Sequence, residues 1–312
     1  MAREPTLVSV VAPMHDEEAT VAAFHERVTA ALADVHGLEL VIVDDGSRDG
    51  TGAALAALAG ADPRVKVITL SRSFGHQAAL TAGLEHASGE VVVMLDGDLQ
   101  DPPEVIPEML GRWRDGADVV YAVRRARAGE TAFKRTTARW FYGLFQRLAD
   151  IDLEPESGDF RLMDRRALDA LLALTERNRF LRGMSVWVGF TQTAVTFQRE
   201  PRSAGRTKYT LRRMLRFSFD AITSFSHRPL QFATLLGFVF SIVAFLAIPL
   251  AVVARYANIY DRGVPSAIVV ILLLGGIQLI CVGIIGEYVG RIYDEVKRRP
   301  LYVVREKANL DP

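Results

Sequence analysis

The sequence at residues 91–104 reads Val-Val-Val-Met-Leu-Asp-Gly-Asp-Leu-Gln-Asp-Pro-Pro-Glu. Five apolar residues run directly into a polar turn that begins with Asp96 and Asp98. A continuous apolar run of this length, rich in β-branched residues, predicts a strand that is covered on both faces. The stretch therefore predicts a buried strand that brings a pair of carboxylates to one edge of a sheet.

The first 125 residues repeat this alternation of short apolar runs and stretches with helical spacing. The other predicted strands there are Leu7–Ala12, Leu38–Val43, Val65–Leu70 and Asp118–Ala122, and Glu17–Ala33 and Gly75–Ala87 are predicted helices between strands. Strands that alternate with helices favour an α/β domain with a parallel sheet and right-handed crossovers. Two further strands are predicted over Phe160–Met163 and Ala194–Glu200, with a helix between them.

The unusual polar residues of this region follow the predicted strands. They form the clusters Pro13–Glu17, Asp44–Asp49, Ser71–Gly75 and Asp96–Asp101, together with Arg124 after the fifth strand. The carboxyl ends of parallel strands share one edge of an open α/β sheet, and ligands bind at that edge. We therefore expect the five clusters to converge on one binding site.

The turn after residue 95 has the chemistry of a metal site. Asp96 and Asp98 can share one hard cation, with phosphate oxygens and water completing its shell, and Mg²⁺ or Mn²⁺ suits such oxygen ligands. A calcium-binding loop is excluded because its sixth position requires glycine, and Asp101 stands there. The alternative is a solvated turn without a ligand.

A second acidic turn spans Asp44–Thr51. Gly46 allows the backbone to approach a ligand closely, and the carboxylates of Asp44 and Asp45 can accept hydrogen bonds from a base or a ribose. The alternative is an ordinary turn in which Ser47 or Asp49 caps the next helix.

Two long apolar segments near the end of the chain predict membrane spans. Leu230–Ala254 contains 25 uncharged residues and Val264–Gly286 contains 23. At ~1.5 Å per residue, either segment crosses a hydrocarbon core of ~30 Å. The alternative is a pair of buried core helices. Basic residues are concentrated outside the pair (Arg212, Arg213, Arg216 and Arg228 before it; Arg291, Lys297, Arg298 and Arg299 after it), so both flanks are predicted to be cytoplasmic.

Bulk composition narrows the possible functions and locations. Lys+Arg 37 balances Asp+Glu 37, so no general attraction to nucleic acid is expected. The single cysteine, Cys281, permits neither an internal disulfide nor a zinc cluster. The short apolar run at residues 7–13 does not resemble a signal peptide. We therefore expect the catalytic part to stay in the cytoplasm.

The region Arg202–Arg216 holds six basic residues and no acidic one. Its distal part is explained by the basic flank that membrane spans carry on the cytoplasmic side. Arg206 and Lys208 lie further out, in a loop that contains glycine, and favour contact with a lipid phosphate.

Several of these motifs resemble those of family 2 glycosyltransferases with the GT-A (Rossmann-like) fold. The motifs are Pro13–Glu17, Asp44–Thr51, Ser71–Gly75, Asp96–Glu104, Ser157–Asp164, Arg179–Gly183 and Gly205–Tyr209. Together with the C-terminal two-helix hairpin, they resemble the polyisoprenyl-phosphate glycosyltransferases, which include bacterial undecaprenyl-phosphate glucosyltransferases and dolichol-phosphate mannose synthases. His15-Asp16 departs from the Tyr-Asn usual in the family, which leaves the nucleobase preference open.

The resemblance implies roles for individual residues. Asp96, Asp98 and Gln100 would bind the metal and the donor diphosphate, and Pro13, His15, Glu17, Asp44, Asp45 and Ser71 would hold the nucleotide. Arg124, Arg206 and Lys208 would bind phosphates, including that of the acceptor. Asp159 would be the catalytic carboxylate, as a base or as an orienting group, while Asp98 and Arg124 would assist catalysis. The alternative for Asp159 is a helix cap or a partner of Arg161.

The expected protein is thus an inverting, metal-dependent enzyme of the cell inner or plasma membrane. It would comprise a cytoplasmic GT-A domain (1–208), an amphipathic juxtamembrane helix (209–228), two transmembrane helices (within 229–290) and a cytoplasmic tail (291–312). It would transfer a sugar from a nucleotide-sugar, UDP-glucose or a related UDP-hexose, to polyprenyl phosphate for modification of cell-envelope glycans. We also expect a homo-oligomer, for which a tetramer is one form.

The amino-acid sequence leaves three alternatives to this function open. The first is a mannose synthase that uses GDP-mannose. The second is a processive polysaccharide synthase, but the Gln-x-x-Arg-Trp pattern typical of those enzymes is absent from this sequence. The third is a membrane scaffold that binds nucleotide-sugar without catalysis, against which the intact metal and acceptor motifs argue.

Overall fold

The computed structural model describes residues 3–124, 157–198, 228–256 and 264–310. These residues belong to two units. The first, here called the sheet unit, contains residues 3–124, 157–198 and 299–310, and the second contains residues 228–256 and 264–298. Arg206 and Lys208 lie outside the described residues.

The sheet unit is built on one eight-stranded sheet with the order β7-β5-β6-β4-β1-β2-β3-β8. The strands are β1 (Val8–Met14), β2 (Leu38–Asp44), β3 (Val65–Leu70), β4 (Val91–Met94), β5 (Val119–Arg124), β6 (Ser157–Asp164), β7 (Gln192–Phe197) and β8 (Val304–Ala308). Every residue of the central strands β1, β2 and β4 is buried, as continuous apolar runs predict for strands covered on both faces.

Helices connect most of these strands and cover the sheet. They are α1 (Val21–Ala31), α2 (Thr51–Ala61), α3 (His76–His86), α4 (Ile106–Arg114), α5 (Arg165–Leu172) and α6 (Leu181–Trp187), with a 3₁₀ turn at Pro103–Val105. Helix α3 lies close to the sheet because it carries Gly83. A Cβ atom at that position would lie 2.3 Å from Val11 Cγ1, closer than any packed side chain tolerates.

The parallel arrangement predicted for the strands of the first 125 residues is confirmed, but the complete sheet is mixed because a later strand, β6, runs the other way. Strands β4, β1, β2 and β3 are parallel, as are β5 and β7, but β6 is antiparallel to both of its neighbours, β4 and β5. A buried strand has the same apolar pattern in either direction, so its direction cannot be read from the pattern. Because β6 is reversed, its first residues lie at the same edge as the carboxyl ends of β4 and β5.

The last strand, β8, was not predicted from the sequence. It pairs antiparallel with β3 at the edge of the sheet. The backbone N–H of Ser71, just after β3, donates a hydrogen bond to the carbonyl of Val303 (2.9 Å). The chain therefore returns to the sheet unit after its apolar segments.

As far as the structure describes it, the second unit contains two helices in contact with each other, α7 (Arg228–Tyr256) and α8 (Val264–Lys297). Both predicted apolar segments are thus helical, and α8 extends beyond the apolar segment through charged residues. Within the described residues, these are the two helices long and apolar enough to cross a membrane. Their large apolar side chains are mostly exposed, Phe245 (74%) and Leu279 (73%) among them.

Candidate active site

The loops that follow β1 and β2 are joined by hydrogen bonds. The backbone N–H of Asp16 donates to Ser47 Oγ (3.0 Å), and its carboxylate accepts from the backbone N–H of Arg48 (2.8 Å). The backbone N–H of Glu17 donates to Thr51 Oγ1 (2.9 Å). Asp16 has φ 54°, a left-handed conformation that aspartate tolerates better than most residues. These hydrogen bonds join the motifs Pro13–Glu17 and Asp44–Thr51 into one continuous structure, here called the rim.

Asp44 and His15 lie within this rim. Asp44 is 2% exposed, and its Oδ1 accepts a hydrogen bond from the backbone N–H of Ser47 (2.9 Å). The ring Nδ1 of His15 lies 2.8 Å from the carbonyl oxygen of Asp45, so this nitrogen carries the proton and donates it. Pro13 pairs with Val43 in the sheet, directly beside these groups. All these candidates for nucleotide binding are brought together.

Asp45 organises the loop after β3. Its Oδ2 accepts from Ser73 Oγ (2.8 Å) and from the backbone N–H of Gly75 (3.0 Å), and its Oδ1 accepts from the backbone N–H of Phe74 (2.7 Å). The two loops touch at Gly46, which has φ 65° and where a Cβ atom would meet the backbone of residue 72. Asp45 thus fixes the 71–75 loop. A direct contact between Asp45 and a nucleotide stays a prediction.

The acidic turn after β4 has a defined internal geometry. Asp98 Oδ1 accepts from the backbone N–H of Gln100 (3.1 Å), and Asp98 Oδ2 accepts from Gln100 Nε2 (2.7 Å). The side-chain amide of Gln100 therefore orients Asp98. Asp101 is fully buried, and its Oδ2 accepts from Arg124 Nη2 (3.2 Å), which joins the end of β5 to this turn.

Asp159 lies at the same edge because β6 is reversed. His76 Nε2 lies 3.3 Å from Asp159 Oδ2 and 3.5 Å from Asp96 Oδ1, so one imidazole contacts both carboxylates. Gln77 Nε2 donates to Asp159 Oδ2 (3.2 Å), and Arg182 Nη2 lies 3.4 Å from Asp159 Oδ1. Asp159 therefore has three donors from two helices, α3 and α6.

The electrostatics of this cluster follow from burial and charge. Burial, with the nearby carboxylates of Asp159 and Asp101, raises the pKa of Asp96 to about 6, although His76 opposes the rise. Burial by itself would lower the pKa of His76, but its hydrogen bond to Asp159 and the charge of Asp96 raise it to about 9.

The pKa of Asp159 moves in the opposite direction. Burial would raise it, but the hydrogen bond from His76 and the charge of Arg182 hold the pKa of Asp159 well below its usual range. A carboxylate this acidic is a weak base, because it keeps no proton near neutral pH.

The acidic turn fits a divalent metal that is shared with a phosphorylated ligand. Asp96 and Asp98 supply hard carboxylate oxygens, and a bound cation would offset the repulsion between Asp96 and the neighbouring carboxylates. Among the described residues, no group of three or more His, Cys, Asp or Glu is arranged to hold a metal. Gln100 stays a predicted ligand beside the two carboxylates, and phosphate oxygens and water would complete the shell.

Three residues of the site, His76, Gln77 and Arg182, were not predicted from the sequence. The first two directly follow the Ser71–Gly75 motif, at the start of a predicted helix, and Arg182 lies in the quoted Arg179–Gly183 motif. The available signal was their position in a motif or directly after one. All three contact Asp159, and the position of Asp159 at this edge depends on the reversed direction of β6.

The sequence of this chain is similar to those of a known protein family. The family model described as Glycosyl transferase family 2 matches residues 9–172. The chain is 46% identical over 305 residues to the uncharacterized glycosyltransferase YkcC of Bacillus subtilis, covering 97% of this chain and 94% of that protein. It is 40% identical over 308 residues to the SfII prophage-derived bactoprenol glucosyl transferase of Shigella flexneri, covering 98% of this chain and 99% of that protein.

Among solved structures, the fold is similar to that of glucosyl-3-phosphoglycerate synthase from Mycobacterium tuberculosis in complex with phosphoglyceric acid. The TM-score is 0.49 at 24% identity, over 70% of this chain and 79% of that chain. This similarity concerns the fold alone.

Proposed function

Because the chain belongs to glycosyl transferase family 2 and is a glycosyltransferase, we propose that it transfers a hexose from a UDP-sugar to a polyprenyl phosphate. The family, the enzyme class and the GT-A fold with two apolar C-terminal helices are confirmed. The donor, the acceptor and the membrane topology belong to the proposal.

The observation that carries the proposal is the extent of the similarity to a bactoprenol glucosyl transferase. It covers 98% of this chain and therefore includes both the acidic turn and the two apolar helices. Bactoprenol is a polyprenol, so a lipid phosphate is the acceptor that this relationship supports, and glucose is the sugar that it favours. The acceptor's long chain also explains why a sugar-transferring domain would carry membrane helices.

The exposure of α7 and α8 supports the membrane location. A core helix of a soluble protein is covered by other elements, whereas few residues in the apolar stretches of α7 and α8 are buried. Large contiguous apolar surfaces of this kind mark a membrane or protein interaction site. We place both helices across the membrane as a hairpin.

The return of the chain to the sheet supports the same topology. Strand β8, after α8, pairs with β3, which precedes α7, so both flanks of the hairpin lie on one side of any membrane that the helices cross. An even number of crossings is therefore required, and two helices provide it. The basic flanks favour the cytoplasm for that side.

In the proposed reaction, a phosphate oxygen of the acceptor attacks the anomeric carbon of the sugar. The bond from that carbon to the diphosphate oxygen breaks, UDP leaves with the bonding electrons, and one displacement inverts the anomeric centre. The second pKa of a phosphate monoester is ~6, so the nucleophile is already anionic at neutral pH. The site needs to offset repulsion between phosphates more than it needs a strong base.

The residues at the sheet edge suit that requirement. Asp96 and Asp98 would hold Mg²⁺ or Mn²⁺, which would neutralise charge on the leaving diphosphate. Arg124 stands at the end of β5, where its hydrogen bond to Asp101 keeps the guanidinium beside the acidic turn. Asp159, with three donors and a lowered pKa, would act as an orienting group more effectively than as a base.

The proposal is tested with membranes that contain the protein and undecaprenyl phosphate. A panel of radiolabelled nucleotide-sugars, including UDP-glucose, other UDP-hexoses and GDP-mannose, is supplied with Mn²⁺. We expect label to enter the lipid fraction from a UDP-hexose. Labelling only from GDP-mannose would show a mannose synthase, and nucleotide-sugar binding without labelling would show a scaffold.

A further inference from the structure

The side chain of Gln77 connects the candidate catalytic carboxylate to a neighbouring helix. Its Nε2 donates to Asp159 Oδ2 (3.2 Å), and its Oε1 accepts from the backbone N–H of Leu181 (3.0 Å), at the start of α6. Gln77 itself lies in the first turn of α3. One amide group thus touches three elements: α3, β6 and α6.

The orientation of this amide is fixed by its two partners. The backbone N–H of Leu181 requires an acceptor, and the carboxylate of Asp159 requires a donor. Rotating the amide by 180° would place its oxygen against a carboxylate and its NH₂ against an N–H, which makes both contacts unfavourable. Gln77 therefore presents a hydrogen-bond donor to Asp159 and cannot present an acceptor.

Two cationic side chains also contact the Asp159 carboxylate, but their contacts differ from that of Gln77. His76 shares its Nε2 between Asp159 and Asp96 at 3.3 and 3.5 Å, and Arg182 contacts the other oxygen, Oδ1. Gln77 supplies the donor that is directed at Asp159 alone and is anchored at its other end. It also anchors Leu181, the residue before Arg182.

From this geometry we infer that Gln77 is a positioning residue for the transfer step. It fixes the rotation of the Asp159 carboxylate and, through Leu181, the start of the helix that carries Arg182. The inference rests on the proposed function, because it concerns the step in which Asp159 faces the sugar. Gln77 acts through Asp159, so its loss should lower kcat and leave binding of the nucleotide unchanged.

The ordinary alternative is that Gln77 only anchors α6 to α3. The chain offers a matched control, because Gln192 Nε2 donates to the carbonyl of Ser185 (2.7 Å), within the same helix. That amide anchors α6 from β7, and its described hydrogen bond goes to backbone. Gln192→Met therefore removes one amide anchor of α6 and leaves the donor to Asp159 in place.

Three substitutions separate the two ends of the Gln77 amide. Gln77→Glu keeps an acceptor for Leu181 and places a carboxylate against Asp159. Gln77→Lys keeps a donor for Asp159 and loses the acceptor. Gln77→Met is close in size and keeps neither. The experiment measures kcat and both KM values for the purified full-length chain, binding of UDP with Mn²⁺ by calorimetry, and thermal unfolding of each variant.

We expect Gln77→Met and Gln77→Glu to lower kcat roughly ten- to a hundredfold, as loss of a hydrogen bond to a charged group does. Gln77→Lys should stay closest to the wild type, Gln192→Met should change kcat little, and UDP binding should be the same in all variants. Full activity of Gln77→Glu would overturn the inference, and so would equal effects of Gln77→Met and Gln192→Met. If Gln77→Glu does not fold, the comparison of the two methionine variants decides.

Failure of the proposed function is distinguishable in the same assay. A wild-type chain that forms no polyprenyl-phosphate sugar contradicts the proposed acceptor, whatever the variants do. The variants are then ranked by the rate at which they release UDP from the nucleotide-sugar in water. The order Lys above Glu and Met would still support Gln77 as a positioning residue, and equal rates would overturn it.

Discussion

His76 Nε2 lies 3.3 Å from Asp159 Oδ2, at a sheet edge where β6 runs against its neighbours. The same nitrogen lies 3.5 Å from Asp96 Oδ1. A single cation thus separates the carboxylate proposed to bind metal from the carboxylate proposed to face the sugar. Without it, two partly buried carboxylates would repel each other across the site.

The first prediction concerns this imidazole. His76→Gln should lower kcat/KM for transfer by roughly tenfold or more, because it removes a charged hydrogen-bond donor from Asp159. His76→Lys should retain more activity, because it keeps the positive charge. The matched control is His86→Gln at the other end of α3, where the imidazole contacts the carbonyl of Ala82. Steady-state kinetics with a UDP-hexose decide, and equal activity of His76→Gln and the wild type would refute the role.

The second prediction separates the acceptor from the donor. If Arg206 and Lys208 bind the lipid phosphate, replacing both with glutamine should raise the KM for polyprenyl phosphate roughly ten- to a hundredfold. Binding of UDP-hexose with Mn²⁺, measured by calorimetry, should change little. A comparable loss of donor affinity would instead show that these residues close over the diphosphate, as mobile basic loops do.

Most of the sheet was predictable because its central strands are buried. Continuous apolar runs gave β1 to β5 within two residues at each end, and the polar residues after them gave the site edge. The charged strand β8, Val304–Ala308, escaped prediction because an edge strand needs no apolar pattern. Its place in the sheet depends on pairing with a distant strand, which a local pattern does not contain.

The site was predictable where its residues belong to contiguous motifs. Asp98 and Gln100 lie in one turn, and their contact follows from their spacing. The contacts of Asp159 with His76 and Arg182 depend on the reversal of β6 and on the docking of two helices. Such contacts join segments about 80 and 20 residues apart, as their sequence numbers show, so no local pattern specifies them.

The third prediction concerns membrane topology. With Cys281 replaced by serine, single cysteines are placed at Asn258 and at Leu310. Because β8 shares a sheet with β3, the cysteine at 310 should react with an impermeant maleimide only after lysis, whereas the cysteine at 258 should react in intact spheroplasts. Labelling of position 310 in intact spheroplasts would contradict the cytoplasmic placement of the hairpin's flanks.

The fourth prediction concerns a buried carboxylate of the sheet. Glu39 is 3% exposed and accepts hydrogen bonds from Lys66 Nζ (2.5 Å), the backbone N–H of Ser88 (2.5 Å) and Ser9 Oγ. Burial would raise the pKa of Glu39, but these hydrogen bonds lower it. Glu39→Gln should therefore destabilise the fold by ~1–3 kcal/mol at neutral pH.

The sign of the pH dependence follows from the lowered pKa. The contribution of Glu39 is complete above the unfolded pKa of ~4.3 and is lost as the pH falls through the folded pKa. The difference in thermal unfolding temperature between wild type and Glu39→Gln should thus shrink in acid. The exposed Glu26→Gln serves as the control, and a difference that is independent of pH would contradict the assignment.

The central claim is that this chain transfers a hexose to a lipid phosphate at a site where Asp96 and Asp98 hold a metal ion. It is tested most directly by mass spectrometry of the lipid formed when the purified full-length chain is given a UDP-hexose, undecaprenyl phosphate and Mn²⁺. Asp98→Asn serves as the inactive variant, and Asp115→Asn, at the exposed end of α4, as the control. The account predicts a polyprenyl phosphate heavier by one hexose with the wild type and with Asp115→Asn, and none with Asp98→Asn or excess chelator. Unmodified lipid with the wild type, or the same product with Asp98→Asn, would contradict it.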